Sequence, residues 1–197
     1  MKKIVALFGV SVFLFSCNVA KQVTAMYAIT QCRYLIESIA NLTLGGINLQ
    51  NVNNISSLNP LAAANLLAAF ATPNGSLPLD FTLNLDVTNP GTQTALLNSA
   101  NYILEIDGMQ MTQGAVNHQI QIGSGQKATL PIDIGFDLKK VMSGHSLDAI
   151  KNLAFNFAGI GSSSSNVTLK LQPSLMVGGT PVNSPDYIPI SFTLNKK

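Results

Sequence analysis

Charged side chains are scarce in this sequence, since only 10% of its 197 residues are Asp, Glu, Lys or Arg. The formal net charge is +2, from 11 basic and 9 acidic residues, and it vanishes when Lys2 and Lys3 are left out. No run of basic residues is present that would neutralise a phosphate backbone or an anionic membrane surface. The sequence therefore argues against a nucleic-acid partner and against electrostatic binding to membranes.

Residues that commonly bind metals or act as nucleophiles are also few. The two histidines, His118 and His145, and the two cysteines, Cys17 and Cys32, lack the close spacing of a zinc site. We expect His118 to be a core or edge residue, because it shares the phase of the apolar residues around it, and His145 to lie in water. The sequence predicts no metal and no cofactor.

Motifs of nucleophilic and phosphate-binding enzymes are absent or fail in detail. The serine-hydrolase motif Gly-x-Ser-x-Gly does not occur. Residues 123–129, GSGQKAT, approach a phosphate-binding loop, but Gln126 separates the glycine from the lysine. A strand pattern also follows where the helix of such a loop should begin. We therefore expect a hairpin turn at this segment.

The acids of the strand-like segments lie on or beside the polar phase, where water would keep each pKa ordinary. They are Asp80, Asp86, Glu105 and Asp133. Catalytic carboxylates usually need burial or a close charged partner to shift their pKa. Because no such pair is evident, the sequence predicts a protein that acts by binding and is not an enzyme.

The first residues have the pattern of a lipoprotein leader. Lys2 and Lys3 precede an apolar segment, residues 4–15, that is shorter than the ~20 residues needed to span a bilayer as a helix. The sequence LFSC at positions 14–17 then resembles the lipobox of lipoprotein signal peptidase. We expect cleavage before Cys17 and acylation of that residue, the alternative being an ordinary secreted protein cleaved nearby.

Cleavage before Cys17 would remove residues 1–16 and leave 181 of the 197 residues. Two or three acyl chains, at ~0.8 kcal/mol per buried methylene, make a stable membrane anchor. We expect residues 17–33 to be the lipid anchor and tether, and residues 34–195 to form one domain. With Cys17 acylated, Cys32 has no disulfide partner and is expected to be buried. An intermolecular or reactive thiol is the alternative.

Alternating apolar and polar residues predict strands through most of the remaining chain. The clearest run interleaves five apolar with five polar residues, which is the period of a half-buried strand. Its apolar members are Leu79, Phe81, Leu83, Leu85 and Val87. Similar patterns predict strands within residues 34–49, 102–111, 116–122, 128–136, 153–157, 167–177 and 188–194. Asp107-Gly108 is typical of a two-residue hairpin turn, and Pro173 indicates a strand edge or bulge.

Two segments have a helical pattern instead. Asn59-Pro60 is a favourable helix start, and residues 61–70 are strong helix formers. Residues 138–150 have weaker helical spacing, interrupted at Gly144. Strands that are apolar on one side only pack as two facing sheets. The sequence therefore predicts a mainly β fold, an antiparallel β-sandwich of the immunoglobulin or fibronectin III kind with one or two accessory helices.

Several of these segments resemble one known family. Residues 81–91, FTLNLDVTNPG, are similar to the strand and Asn-Pro turn of the type 2 late embryogenesis abundant (LEA) family, also called the water-stress and hypersensitive-response domain. Asn89 and Pro90 are its marker residues here. A tyrosine-containing strand, a glycine hairpin and a second alternating strand follow, as in that family. Residues 32–34 and 41–49 also resemble its bacterial lipoprotein members.

The resemblance covers residues 34–194 and implies an antiparallel β-sandwich without enzymatic activity, associated with desiccation and stress tolerance. Asn89 and Pro90 would set a turn. Together with the leader, it predicts a lipoprotein of the outer membrane that faces the periplasm, held by acyl chains such as palmitate on Cys17. Its role would be structural, protective or the binding of an envelope protein. The alternative is a carrier that holds a lipid or other apolar ligand in a tunnel between the sheets.

Overall fold

The computed structural model describes residues 24–25, 27–50, 52, 54, 57–72, 75–161, 163–177 and 180–194. The predictions for Cys17, for the leader and for most of the tether lie outside these residues. In the described part the protein is mainly β, with antiparallel sheets and few helices, which confirms the predicted fold class. No helix in these ranges is both long and apolar enough to cross a membrane.

Two large sheets and one small sheet contain the strands of the described residues. In chain order the strands are Arg33–Leu44 (β1), Ile47–Asn48 (β2), Pro78–Thr88 (β3), Ala95–Leu97 (β4), Ser99–Ile106 (β5), Met109–Val116 (β6), Ile120–Ile122 (β7), Lys127–Asp137 (β8), Ser165–Val177 (β9), Thr180–Asn183 (β10) and Ile188–Leu194 (β11). The first sheet has the order β2-β1-β3-β8. The second has the order β10-β9-β5-β6, with β11 also paired to β9, and β4 and β7 form the small sheet.

The inner faces of the two large sheets share one core. The five apolar residues of β3 identified by alternation are each at most 3% exposed, as the period of two predicts. β3 pairs with β8 over its whole length, from Pro78 opposite Asp137 to Thr88 opposite Lys127. From the second sheet, Leu104, Leu169 and other inward residues are equally buried. β3 lies between β1 and β8, so its inward side chains occupy the middle of the buried face of the first sheet.

Tight turns join several of these strands, and positive φ angles mark them. Asp107 and Gly108 have φ angles of 50° and 80°, as a two-residue hairpin with a mirror-image turn requires, so the hairpin prediction is confirmed. Gly45 and Gly46 have φ angles of 56° and 78° and form the turn from β1 to β2. β1 itself is irregular near Asn41, whose φ is also positive.

Pro173 lies within β9, which has neighbouring strands on both sides. It is accommodated where β9 passes between the end of its pairing with β11 and the start of its pairing with β10. β11 pairs with β9 up to Leu171, and β10 pairs with β9 from Ser174 onwards, so Pro173 has no strand partner on that side. Its carbonyl accepts from the Ser184 N–H at 2.7 Å on the same side. Since the N and C=O of one strand residue point the same way, the missing N–H of proline faces the gap and no ladder bond is lost.

Helices cover the end of the sandwich where β3 begins, which we call the helical end. They are Pro60–Ala71 (α1), Leu138–Val141 (α2) and Leu147–Phe157 (α3). α1 begins as predicted, because the Asn59 side chain accepts from the Ala62 N–H at 2.7 Å. α2 follows β8 directly, and the Phe70 ring of α1 contacts the Phe155 ring of α3 edge to face, with centroids 6.0 Å apart.

The strand predicted at residues 153–157 is wrong, since α3 continues through Phe157. Leu153, Phe155 and Phe157 alternate with the period of a strand. Apolar residues with helical spacing overlap this pattern, and the segment forms a helix that buries them. Its buried members are Ile150, Leu153, Ala154 and Phe157. Ser146 caps the start of the helix, and no helix breaker follows until Gly159, whose φ is 73°.

Leu83→Asp and Asn84→Asp test the packing of β3, because the two residues are adjacent but face opposite sides. Leu83 is fully buried, so an aspartate there places an unpaired charge in the core and costs several kcal/mol of the ~5–15 available. We expect Leu83→Asp to unfold the domain. Asn84 is partly exposed, and the Ser38 hydroxyl that accepts from its amide can rotate and donate to an aspartate instead, so Asn84→Asp should change little. Equal melting temperatures in thermal denaturation would contradict this packing.

Candidate functional site

A cavity lies at the end of the sandwich opposite the helices, where the chain reaches β1. We call this the tether end, and the cavity the tyrosine groove. The groove has a volume of about 580 Å³ and is half open to solvent. One wall consists of Tyr27, Thr30 and Gln31, and the other of residues 184–189, which comprise the loop from β10 to β11 and the first two residues of β11. Two exposed tyrosines, Tyr27 and Tyr187, lie on opposite walls.

The first wall is a helical turn fixed to the core at three points. Ile29 is 1% exposed, and its carbonyl accepts from the Tyr34 hydroxyl at 2.6 Å. The Cys32 thiol donates to the Ala28 carbonyl at 3.4 Å. Burial raises the pKa of Cys32 to about 11 and also raises that of Tyr34, so neither group ionises at neutral pH. The prediction that Cys32 is buried is confirmed.

The second wall is attached to β9 by hydrogen bonds between Ser184 and the residues Gln172 and Pro173, where β9 has no strand partner on that side. Ser184 is buried, and its carbonyl accepts from the Gln172 amide at 2.9 Å. Its hydroxyl donates to the Asp186 carbonyl at 3.0 Å, which shapes the loop that presents Tyr187. Tyr27 and Tyr187 were not among the residues predicted from the sequence. Neither belongs to a periodic run, and the aromatic content of the chain is only 7%.

Hydrogen bonds of the Asn89 side chain connect the loop after β3 with the loop after β7, beside the tether end. It is 1% exposed, and its side-chain amide donates to the carbonyls of Gln93, Ile122 and Gly123 at 2.7, 3.0 and 3.2 Å. Its side-chain oxygen accepts from the Gly91 N–H at 3.0 Å, which forms the turn around the exposed Pro90. The predicted turn at Asn89 and Pro90 is present, and Asn89 also joins it to the loop after β7.

Asp86 departs from the expectation that the strand acids keep an ordinary pKa. It lies on the polar phase of β3 but is only 6% exposed. The Lys127 ammonium lies 2.5 Å from its carboxylate, and Thr129 donates to it at 3.0 Å. These partners, Lys127 first, lower the pKa of Asp86, and Asp86 in turn raises the pKa of Lys127. The paired strand β8 supplies both partners, which sequence spacing does not reveal.

Asp137 is a second carboxylate with a structural role. Burial alone would raise its pKa, but the Ser76 hydroxyl and the N–H groups of Leu77, Lys140 and Lys139 donate to it and lower its pKa. The carboxylate caps α2 and joins that helix to the segment before β3. The perturbed acids therefore each have partners that connect elements of the fold.

The histidine predictions have different outcomes. His118 is exposed between β6 and β7, so its expected place in the core or at a strand edge is wrong. It follows the buried Val116, but the strand ends there and the phase is lost. His145 is exposed, as predicted. Across the described ranges, no three His, Cys, Asp or Glu residues are grouped closely enough to hold a metal ion.

Residues 123–126 form a tight turn, in which the Gln126 N–H donates to the Gly123 carbonyl at 3.1 Å, and residues 127–129 begin β8. The turn is present, but the predicted hairpin is wrong. β7 before it pairs with β4, and β8 after it pairs with β3. The two strands that the turn joins therefore belong to different sheets.

A second cavity opens where β1 of the first sheet faces β11 of the second, and we call it the seam groove. Its volume is about 350 Å³. Its apolar lining includes Leu42, Leu49, Phe157, Ala158 and Leu194. The Gln50 side chain bridges the unpaired edge of β1 beside it, since it donates to the Ile39 carbonyl at 3.0 Å and accepts from the Leu42 N–H at 3.1 Å.

Comparison with known proteins gives little guidance. No family model matches the chain, and no curated protein matches it in sequence. A crystal structure of a protein from Archaeoglobus fulgidus aligns with a TM-score of 0.37 at 11% identity, covering 64% of this chain and 91% of that one. The solution structure of AT1g01470 from Arabidopsis thaliana has a TM-score of 0.34 at 15% identity, covering 58% and 67%. Such TM-scores carry no argument about family or function.

The Asp86 pair predicts an acid-dependent part of the stability. The lowered pKa of Asp86 lies below its ordinary value of 3.8, so the pair stabilises the fold above pH 3.8 and this contribution is lost as the pH falls through the lowered pKa. Asp86→Asn should remove that dependence in denaturant titrations over roughly pH 5 to 2, the range in which carboxylates titrate.

The matched control for this measurement is Asp148→Asn. The Asp148 side chain is 88% exposed, and its nearest partner, Lys151, is 3.8 Å away. Exposed pairs of this kind contribute little to stability. The control should keep the wild-type pH profile. If Asp86→Asn also kept that profile, the assigned role of the Asp86–Lys127 pair would be wrong.

Proposed function

We propose that this chain is a lipid-anchored protein of the bacterial cell envelope, acylated at Cys17, whose β-sandwich acts by binding and not by catalysis. The observation that carries the proposal is the leader, in which Lys2 and Lys3, a short apolar segment and the lipobox-like residues 14–17 occur in the order that lipoprotein processing requires. In this account the protein faces the periplasm from the outer membrane.

The geometry of the tether end supports an anchor at this position. The described chain begins at Thr24 and reaches β1 at Arg33, at one end of the sandwich. Cys17 is seven residues before Thr24, so a membrane anchor there would hold the domain by that end. The buried Ile29 and the Tyr34 hydrogen bond fix the helical turn to the core. Tension on the tether would therefore be transmitted to a packed segment.

The absence of catalysis is supported by the partners of the perturbed groups. The Asp86 carboxylate contacts Lys127 and Thr129, and the Asp137 carboxylate caps α2. The Cys32 thiol has a pKa raised to about 11, which opposes the thiolate needed for nucleophilic attack.

The physiological role that we propose is in stress or desiccation tolerance, and its support is the resemblance of residues 81–91 to the type 2 LEA family.

Cys17→Ala tests the anchor directly, and Cys32→Ala is its matched control because the sequence has only these two cysteines. In cells grown with a clickable palmitate analogue, we expect wild type and Cys32→Ala to be labelled and to fractionate with membranes. Cys17→Ala should be unlabelled and keep its leader or become soluble. Membrane-bound, processed and labelled Cys17→Ala would show that the anchor lies elsewhere.

A second candidate function is that of a carrier for a lipid or another apolar ligand, and the seam groove is the observation that favours it. The space between the sheets is filled by residues such as Leu83 and Leu104, which are fully buried. The seam groove instead offers about 350 Å³ next to Leu42, Phe157 and Leu194. A carrier would therefore hold its ligand at the seam and not in a central tunnel.

Ser38→Phe tests the carrier, because Ser38 is exposed and lines the seam groove. If the groove holds acyl chains, titration with a fluorescent fatty acid should give saturable binding that Ser38→Phe abolishes. Ser124→Phe, at an exposed turn position outside the groove, should bind like wild type. Absence of saturable binding by the wild-type protein would eliminate the carrier.

A further inference from the structure

Large apolar side chains that are exposed in the described part of the chain fall into two groups at opposite ends of the sandwich. The first group, towards the tether end, consists of Tyr27, Leu35, Val182 and Tyr187, which are 67%, 68%, 44% and 39% exposed. The second group, at the helical end, consists of Leu61, Leu67 and Leu147. Exposed apolar side chains that cluster at one place usually mark an interaction surface.

Chain length distinguishes the two groups. Seven residues from Cys17 to Thr24 span at most about 25 Å even when fully extended. β3 runs from the helical end at Pro78 to the tether end at Thr88, where it pairs with Arg33, and its ten steps cover about 33 Å. With the tether leaving from the end near Arg33, the first group is held close to any membrane that carries the acyl chains. The helical group lies at the other end of β3, about 33 Å further from the tether along that strand.

We propose that the rim of the tyrosine groove docks on the surface of the membrane that carries the anchor, with Tyr27 and Tyr187 at the level of the lipid headgroups. This inference rests on the acylation of Cys17 proposed above and adds the orientation of the domain. Tyrosine suits this place because its ring is apolar and its hydroxyl remains hydrated. The short tether raises the effective concentration of the rim at the bilayer, so weak contacts suffice.

Charge decides which kind of membrane contact this is. The groove contains one acid, Asp186, and the chain after the leader has equal numbers of acidic and basic side chains. The docking is therefore apolar and aromatic, and it does not require anionic lipid. Vesicles of neutral phosphatidylcholine are accordingly the appropriate probe, and added salt should not release the contact.

Single tryptophans provide the test, since the natural sequence has none. Tyr187→Trp places a reporter in the tyrosine groove, and Leu67→Trp places one on the exposed face of α1 at the helical end. The mature acylated proteins are reconstituted into phosphatidylcholine vesicles with brominated acyl chains. Flotation first confirms that each protein remains on the vesicles.

We expect the Tyr187→Trp emission to be quenched by the brominated lipid and shifted to shorter wavelength, and the Leu67→Trp emission to be unchanged. Quenching at position 67 in place of position 187 would overturn the proposal and place the helical end on the bilayer. If the protein floats with the vesicles and neither tryptophan is quenched, the proposal is also overturned, because neither end of the domain then contacts the lipid. Protein that does not float at all would contradict the anchor itself.

Discussion

Burial of the apolar face of β3 is the constraint on which the rest of the structure depends. Its five inward side chains are almost completely buried, and each contributes about 1.5–3 kcal/mol, which together is comparable to the whole net stability of a domain. β3 is also the strand to which β1 and β8 pair along most of their length. The first sheet, and through its face the second, therefore depend on one alternating run of residues.

The same strand separates the two ends of the molecule by its length. At its start, the Asp137 carboxylate joins β8 to α2 and to the segment before β3, which holds the helices over that end. At its finish, the buried Asn89 amide joins the turn after β3 to the loop after β7. Each end thus has a polar side chain, partly buried at Asp137 and fully buried at Asn89, whose hydrogen bonds connect separate elements of the fold. The grooves lie at the margins of this frame, at the tether end and at the seam between β1 and β11.

The sequence predicted the features that depend on neighbours along the chain. Alternation identified β3, the Asn59 cap identified the start of α1, and Asp107-Gly108 identified a hairpin. The secondary structure of residues 153–157 was predicted wrongly because helical and strand periods overlap there. The pairing of β7 was predicted wrongly because the sequence pattern does not show which strand lies beside it. The pairing of Asp86 with Lys127 was missed because it depends on the register of β3 and β8, which sequence spacing does not give. The tyrosine groove was missed because its two walls, within residues 27–31 and 184–189, are far apart in sequence.

A single modification connects the structure to the proposed place of the protein in the cell, since every statement about its orientation depends on an anchor at Cys17. The most direct measurement is the mass of the mature amino terminus, by mass spectrometry of the protein extracted with detergent from the membranes of its native cells. The account predicts an amino-terminal peptide that begins at Cys17 and is heavier than its sequence by the diacylglyceryl group and, when the amine is also acylated, a third chain. An amino-terminal peptide that begins elsewhere, or an unmodified Cys17, would contradict it.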